Sequence, residues 1–463
     1  MSAASAFAGT AAGPAASSPS PRPSVPVAGE RGWFRLASTR LSGLPAAFWI
    51  FELYLFVGIT LLDVEWPSIG RFRPRLVLGT LALASGLSRW FERRPRSAVS
   101  HVPSEHRFVA GWLAAFLLAG FVCAAWAFDT SRAWRFQIEH ATTMLGFFLF
   151  LALVRTRREV LVTVLVFTAA SGFYLLRSAL EYMNGKHQFT MGVSRMMGAG
   201  DVDPNSFGGT IAFSLPLVLW AAIHARSRLL VLCVLGYGLL ASYCAVQTHS
   251  RSGFILLAMN VLWALVAIPS GKARLAIAAV LVAFGVYLVG FQSKNALERY
   301  ASIFSSNTYE HESSTRGRIE GYQVAATMFK DEPLHGVGPD CWSAYRMARV
   351  DGQKLMPHNM PGQLIATMGA LGTLTFAGYL VGAVSFALAV RRRRRGSPDP
   401  WDRAVRSLAA TVLVTTLLLL VSGTAAHNVD RSAWYLMPAL LACAARAPDD
   451  EAAPAAPPTR SAS

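Results

Sequence analysis

Charge is what this sequence has least of. Only 15% of its 463 residues are Asp, Glu, Lys or Arg, against about 25% in soluble domains. An ordinary water-soluble globule is therefore excluded. Carboxylates are the scarcer sign, with 26 acidic residues facing 43 Lys and Arg for a net charge of +17. In a soluble chain that balance would point to nucleic acid. Here the arginines fall in short segments between apolar runs, where they serve as orientation signals, and no nucleic-acid partner is expected. Cysteine is also sparse. Cys123, Cys233, Cys244, Cys341 and Cys443 show no metal-ligand spacing, and four of the five lie in apolar stretches, so neither a disulfide framework nor a zinc site is expected. A phosphate-binding glycine loop is missing too, which argues against a nucleotide-driven pump. The first 30 residues lack the basic start and apolar core of a cleavable signal.

What the chain has in quantity is hydrocarbon. Hydrophobic residues make up 53% of it, and the mean hydropathy is +0.38. They come in blocks near 20 residues long, the length a helix needs to cross about 30 Å of bilayer. Twelve such blocks fall at 44–63, 74–91, 108–128, 137–154, 159–179, 206–224, 229–247, 253–269, 275–291, 362–390, 405–425 and 432–446. The expected fold is all-α, a polytopic integral membrane protein of about 12 transmembrane helices with one large helical loop. The expected organisation is a disordered tail over 1–40, nine spans within 41–291, the large loop over 292–357, three spans within 358–446 and a second disordered tail over 447–463. The segments SRWFERRPR, RTRRE, RSR, GKAR and RRRRR alternate with arginine-poor ones such as FDTSRAW, THSRSG and HNVDRS. The positive-inside rule puts the first set and both termini in the cytoplasm; IGRFRPR is the one segment that objects.

That orientation collects the chemistry outside. In GVSRMMGAGDVDPNSFGGT, Asn205 or Ser206 reads as a helix cap. Arg195 upstream is either a loop arginine paired with Asp201 or Asp203, or part of an anion site. Arg251, in THSRSGF, lies where two spans meet; an arginine there needs an anionic partner or must snorkel to the headgroups. His249 reads as an interfacial residue. His358, in KLMPHNMPGQLIATMGALG, stands at a helix N-terminus, where the helix dipole disfavours the charged ring and leaves a neutral proton acceptor; an inert interfacial histidine fits equally. His427-Asn428 repeats the pair ahead of the last span, with capping as the plainer reading and Asp430 and Arg431 as possible partners. Residues 316–330 read as an exposed amphipathic helix. Its Arg318 either reaches the membrane site or pairs with Glu320 or Glu332. Among interior charges, Glu52 is the clearest.

The arginine ahead of DPN, the SRSG element, the R-x-E-x-Y helix leading to DEPLHGVGP and the HN pair before a small-residue helix occur in an order that resembles the O-antigen ligase and polymerase family of bacterial envelope glycosyltransferases. The resemblance is close over about 190–375 and extends to the whole chain in topology. It implies transfer of a glycan from an undecaprenyl-pyrophosphate-linked donor without metal or other cofactor. The acceptor would be lipid A–core in a ligase, a second lipid-linked glycan in a polymerase, or a protein hydroxyl in an O-oligosaccharyltransferase. His358 would be the general base, and Arg251 with Arg195 would hold the pyrophosphate as it leaves. Arg318 would assist, and Asn205 and Asn359 complete the expected substrate contacts. The expectation is an O-antigen ligase of the inner membrane acting on the periplasmic face. A lipid-glycan transporter is the non-enzymatic alternative, which would place its ionisable groups near the midplane.

Overall fold

The computed structural model describes residues 43–91, 105–190, 192–224, 227–303 and 309–448. The expected tails, 1–40 and all of 447–463 beyond residue 448, lie outside the described residues. In chain order the helices are α1 (Ala46–Thr60), the single turns α2 (Leu62–Glu65) and α3 (Pro67–Gly70), α4 (Pro74–Phe91), α5 (Glu105–Ala125), α6 (Thr130–Leu153) and α7 (Arg157–Met183). After a hairpin come α8 (Pro204–His224), α9 (Arg228–Gln247), α10 (Arg251–Ala267) and α11 (Gly271–Phe291). The large loop holds α12 (Lys294–Ala301), α13 (Tyr309–Asp331) and α14 (Trp342–Tyr345). Finally α15 (Met360–Arg393), α16 (Pro400–Gly423) and α17 (Ala433–Arg446) close the bundle.

Each of the twelve apolar blocks is thus a helix, and the protein is an all-α polytopic membrane protein. Eight of these helices are long and apolar enough to cross a membrane unaided. Helices α1 and α10 are apolar but have 15 and 17 residues, about 22 and 26 Å at the α-helical rise. Glu52 is buried against α7, where Thr163 Oγ1 donates to its Oε1 at 2.5 Å.

Short polar residues set the helix starts. Ser227, Ser250, Ser270 and Ser293 each accept a main-chain N–H of the helix that follows, and Thr156 and Glu159 form a reciprocal capping box. Such caps satisfy donors that hydrocarbon would leave stranded. At α8 the cap differs from the sequence expectation. Asp203 Oδ1 accepts from the main-chain N–H of Asn205 (3.0 Å) and of Ser206 (3.1 Å). Pro204 opens the helix without an N–H of its own, which puts the capping position on the residue before it. Asn205 is thereby released for another contact.

Two features fix the geometry of the helix mouths. The first is a crossing of α8 on α10: a Cβ added to Gly208 would lie 3.3 Å from the Cα of Gly253. The two helices meet backbone to backbone within about a turn of their starts. The second is a break in α15 at Gly369, with φ 58° and ψ −157°. The segment EPLHGVG packs into that break. Ala370 and Leu371 N–H donate to Pro333 O and Leu334 O (2.9 and 3.0 Å), while Val337 and Gly338 N–H donate to Ala366 O and Thr367 O (2.9 and 3.0 Å). Main-chain groups freed by the kink are thus paired again, as non-helical backbone at membrane depth requires.

The large loop is helical, as expected, but it does not float. Val324, Ala325 and Met328 of α13 join Trp342, Tyr345, Ala124 and Ala133 in a second buried cluster at the head of α5, α6 and α15. Helix α11 lies at the edge of the bundle, with no described residue of its apolar stretch buried, and is tied to α9 by Gln247 Nε2 donating to the Tyr287 hydroxyl at 2.9 Å. The hairpin is the one β element among the described residues. It joins β1 (His187–Thr190) to β2 (Val193–Met196), with Gln188 opposite Arg195.

A candidate active site at the helix mouths

Arg195 projects from β2 into the bundle and is buried, 7% exposed. Its Nε donates to Thr248 O at 2.9 Å and its Nη2 to Asn205 Oδ1 at 2.8 Å. Neither Asp201 nor Asp203 takes it in an ion pair; Asp201 is held by Lys186 at 3.1 Å. Ser250 caps α10 through Gly253 N–H (3.2 Å) and so sets Arg251 at the first helical position. From there Arg251 Nη1 donates to Ser302 Oγ at 3.2 Å. Among the described residues neither arginine pairs with a carboxylate. Burial and then the charge of Arg299 hold the Arg195 guanidinium down to about 10, with Arg251 adding to the effect and Asp203 partly offsetting it. Guanidinium groups brought this close, with Arg195 and Arg251 bonded to neutral oxygens, have the chemistry that an anion would need.

Arg299 is the residue that the sequence reading missed. It lies on α12, 9% exposed, and its Nε donates to His249 O at 2.7 Å. Tyr300 beside it donates its hydroxyl to Val246 O at 2.5 Å. The signal was available: an arginine in a capped amphipathic helix directly after a span. His249 is a further departure from expectation. It is buried with φ 47°, and its Nδ1 donates to Ser194 O at 3.0 Å while the other ring nitrogen bonds the Gln292 amide at 3.1 Å. Burial lowers its pKa, with those two bonds acting the other way. It braces the hairpin against α10 and so does not serve as an interfacial residue.

His358 is exposed, one residue ahead of the α15 cap, between buried Pro357 and buried Asn359. Asn359 Oδ1 accepts from Gly362 N–H at 2.6 Å. Its side chain is fully buried, with Nδ2 turned toward Gly321 of α13. The Asn359 amide therefore shapes the turn that presents His358. Arg318 lies on α13, and its side chain is outside the described residues.

The second HN pair does not cap α17. Ser432 occupies that capping position without a side-chain bond, and His427-Asn428 belongs to the loop before it. Two buried aromatic side chains hold this loop: Trp434 Nε1 donates to Asn428 O (2.9 Å) and Tyr435 OH to Val429 O (2.7 Å). Asn428 Nδ2 donates to Leu419 O at 2.7 Å. From the loop, Arg431 Nη1 donates to Thr210 Oγ1 (3.4 Å), one turn past Asn205 on α8, and His427 Nδ1 donates to Pro357 O (3.3 Å). Arg195, Asn205, Arg251 and Arg299 thus form one group, and the 424–432 loop ties that group to the turn bearing His358.

Residues 236–377 match the family model described as O-antigen ligase, while no curated protein matches the chain. The matched stretch takes in Arg251, Arg299, Arg318, His358 and the Gly369 break. It leaves out Arg195, Asn205, His427 and Arg431.

Proposed function

We propose that this protein, whose residues 236–377 carry the domain of the O-antigen ligase and polymerase superfamily, is a membrane glycosyltransferase that moves a glycan from an undecaprenyl-pyrophosphate-linked donor to an acceptor hydroxyl. The preferred acceptor is lipid A–core, on the periplasmic side of the inner membrane. The observation that supports this most directly is the pair Arg195 and Arg251, whose bonds go to neutral oxygens (Thr248 O, the Asn205 amide and Ser302 Oγ), with the Arg299 guanidinium close enough to act on Arg195. Two guanidinium groups held by neutral oxygens fit a diphosphate, which planar guanidinium groups grip in two-point fashion.

The chemistry is one displacement. The acceptor oxygen attacks the anomeric carbon as His358 takes its proton. The bond from that carbon to the phosphate oxygen breaks, and its electron pair leaves on the diphosphate. Charge grows on the leaving group, so preplaced cations at a hydrocarbon edge stabilise the transition state more than the ground state. A single in-line step inverts the anomeric configuration. The arginines supply the charge that a divalent ion would otherwise bring, so the reaction should proceed unchanged in EDTA.

The test is a transfer assay with purified protein, lipid-linked glycan extracted from the producing strain, and two acceptors, lipid A–core and lipid-linked glycan. His358→Ala should retain donor binding and lose transfer by about 100-fold or more, the scale of one general base. Full transfer by that variant would end the reading. Glycan growth on the lipid-linked acceptor alone would make the enzyme a polymerase.

A further inference from the structure

We propose that His427 is a positioning residue for the transfer, its ring fixing the turn that aims His358. This rests on the catalytic reading above. The turn is held from two sides. Asn359 closes it through the cap to Gly362 N–H at 2.6 Å. On the other side, Pro357 O accepts from His427 Nδ1 at 3.3 Å. A carbonyl oxygen can only accept, so Nδ1 carries the proton and the ring is held in that tautomer. His358, between these two anchors, has its main chain fixed on both sides while its side chain stays exposed.

The support behind His427 is built for the purpose. Three buried side chains hold its loop: Trp434 and Tyr435 of α17 bond the main-chain carbonyls of Asn428 and Val429, and Asn428 bonds Leu419 O of α16. The same loop reaches α8, the helix that carries Asn205, through Arg431 Nη1 and Thr210 Oγ1 at 3.4 Å. One rigid segment therefore sets the base relative to the anion clamp, and misplacing a reacting group by about 1 Å costs roughly 100-fold in rate. The role needs only a donor at the position of Nδ1. An asparagine can supply one, because its Nδ2 reaches about as far from the backbone as the histidine Nδ1.

The experiment compares His427→Ala, His427→Asn and His358→Ala in the same transfer assay, with thermal unfolding in detergent as the measure of folding. His427→Ala should lose about 10- to 100-fold in kcat, with KM for the lipid-linked donor within about two-fold. His427→Asn should recover to within about three-fold of the parent protein, which a ring acting as acid or base would not allow. Unimpaired His427→Ala overturns the proposal. So does a folded His427→Asn as inactive as the alanine variant, since the ring would then react itself. Failure of both variants to fold would make the ring part of the scaffold and overturn it equally. Should His427→Ala not fold, His427→Asn decides alone. If His358→Ala keeps its activity, the fault lies in the catalytic reading instead.

Discussion

Arg195 and Arg251 at the mouth are held by the neutral oxygens of Thr248, Asn205 and Ser302. Arg195 and Arg299 each give one nitrogen to a main-chain carbonyl, of Thr248 and His249, which orients the guanidinium. Arg299→Gln removes one of three charges and should raise the donor KM by about 10-fold, the scale of one hydrogen bond to a charged group, while leaving a folded protein. Steady-state kinetics over a range of donor concentrations checks this. The pH dependence has a definite sign. A cation with its pKa lowered to about 10 is charged throughout the neutral range and loses its proton as pH rises. Donor affinity should be flat from about pH 6 to about pH 9 as far as Arg195 is concerned, then fall above pH 10. Titrating binding of a fluorescent lipid diphosphate against pH measures it, and a fall on the acid side of neutrality would contradict the clamp.

At the scale of elements, the α15 break is the most exacting feature. Gly369 combines φ 58° with ψ −157°, and a Cβ there would lie 2.5 Å from Leu334 O and 2.6 Å from Gly336 N. Gly369→Ala must either straighten the helix or expel the EPLHGVG segment, stranding main-chain groups on both. The expected loss is about 2–3 kcal/mol or more, read as a lowered midpoint of thermal unfolding, with activity falling as the loop cluster of Val324, Met328 and Trp342 lifts. The α8–α10 crossing is the second such point. A branched side chain in place of Gly208 would meet Gly253 Cα, Thr248 Oγ1 and Ser250 Cβ, all within 3.7 Å. Gly208→Val should therefore separate Arg195 from Arg251 and raise the donor KM more than it lowers the unfolding midpoint. A change in stability alone, with kinetics intact, would show that the crossing has no part in the clamp.

For the whole molecule, the proposed orientation has all twelve apolar helices crossing the membrane, an even number that would leave both termini on one side. Gly352 is exposed in a turn with φ 74° within the large loop, on the face that the charge pattern puts outside. An epitope inserted there should be reached on intact spheroplasts, while a C-terminal tag should need permeabilised cells. The reverse accessibility would invert the proposed orientation. Standing beside α10, whose first residue is Arg251, helix α11 presents Val280, Val282, Val286 and Val289 outward, a face suited to acyl or prenyl chains of the membrane.

The sequence by itself determined the helices and their order, because a bilayer leaves an apolar block of 20 residues only one way to pair its backbone. It also exposed Arg251 and His358, since a charged or ionisable group at the start of a span stands out against hydrocarbon. Only the tertiary structure decided how those groups are supported. Arg195 depends on a hairpin whose strands are four residues each, too short for a periodic signal. The α8 cap passed from Asn205 to Asp203 through Pro204, and Asn205 turned to Arg195. Arg299 and His427 acquire their parts from residues 50 and 70 positions away in the chain. Local pattern records what a residue does to its own helix; which carbonyl it meets across the bundle is fixed by packing, at Gly208 on Gly253 and at the Gly369 break.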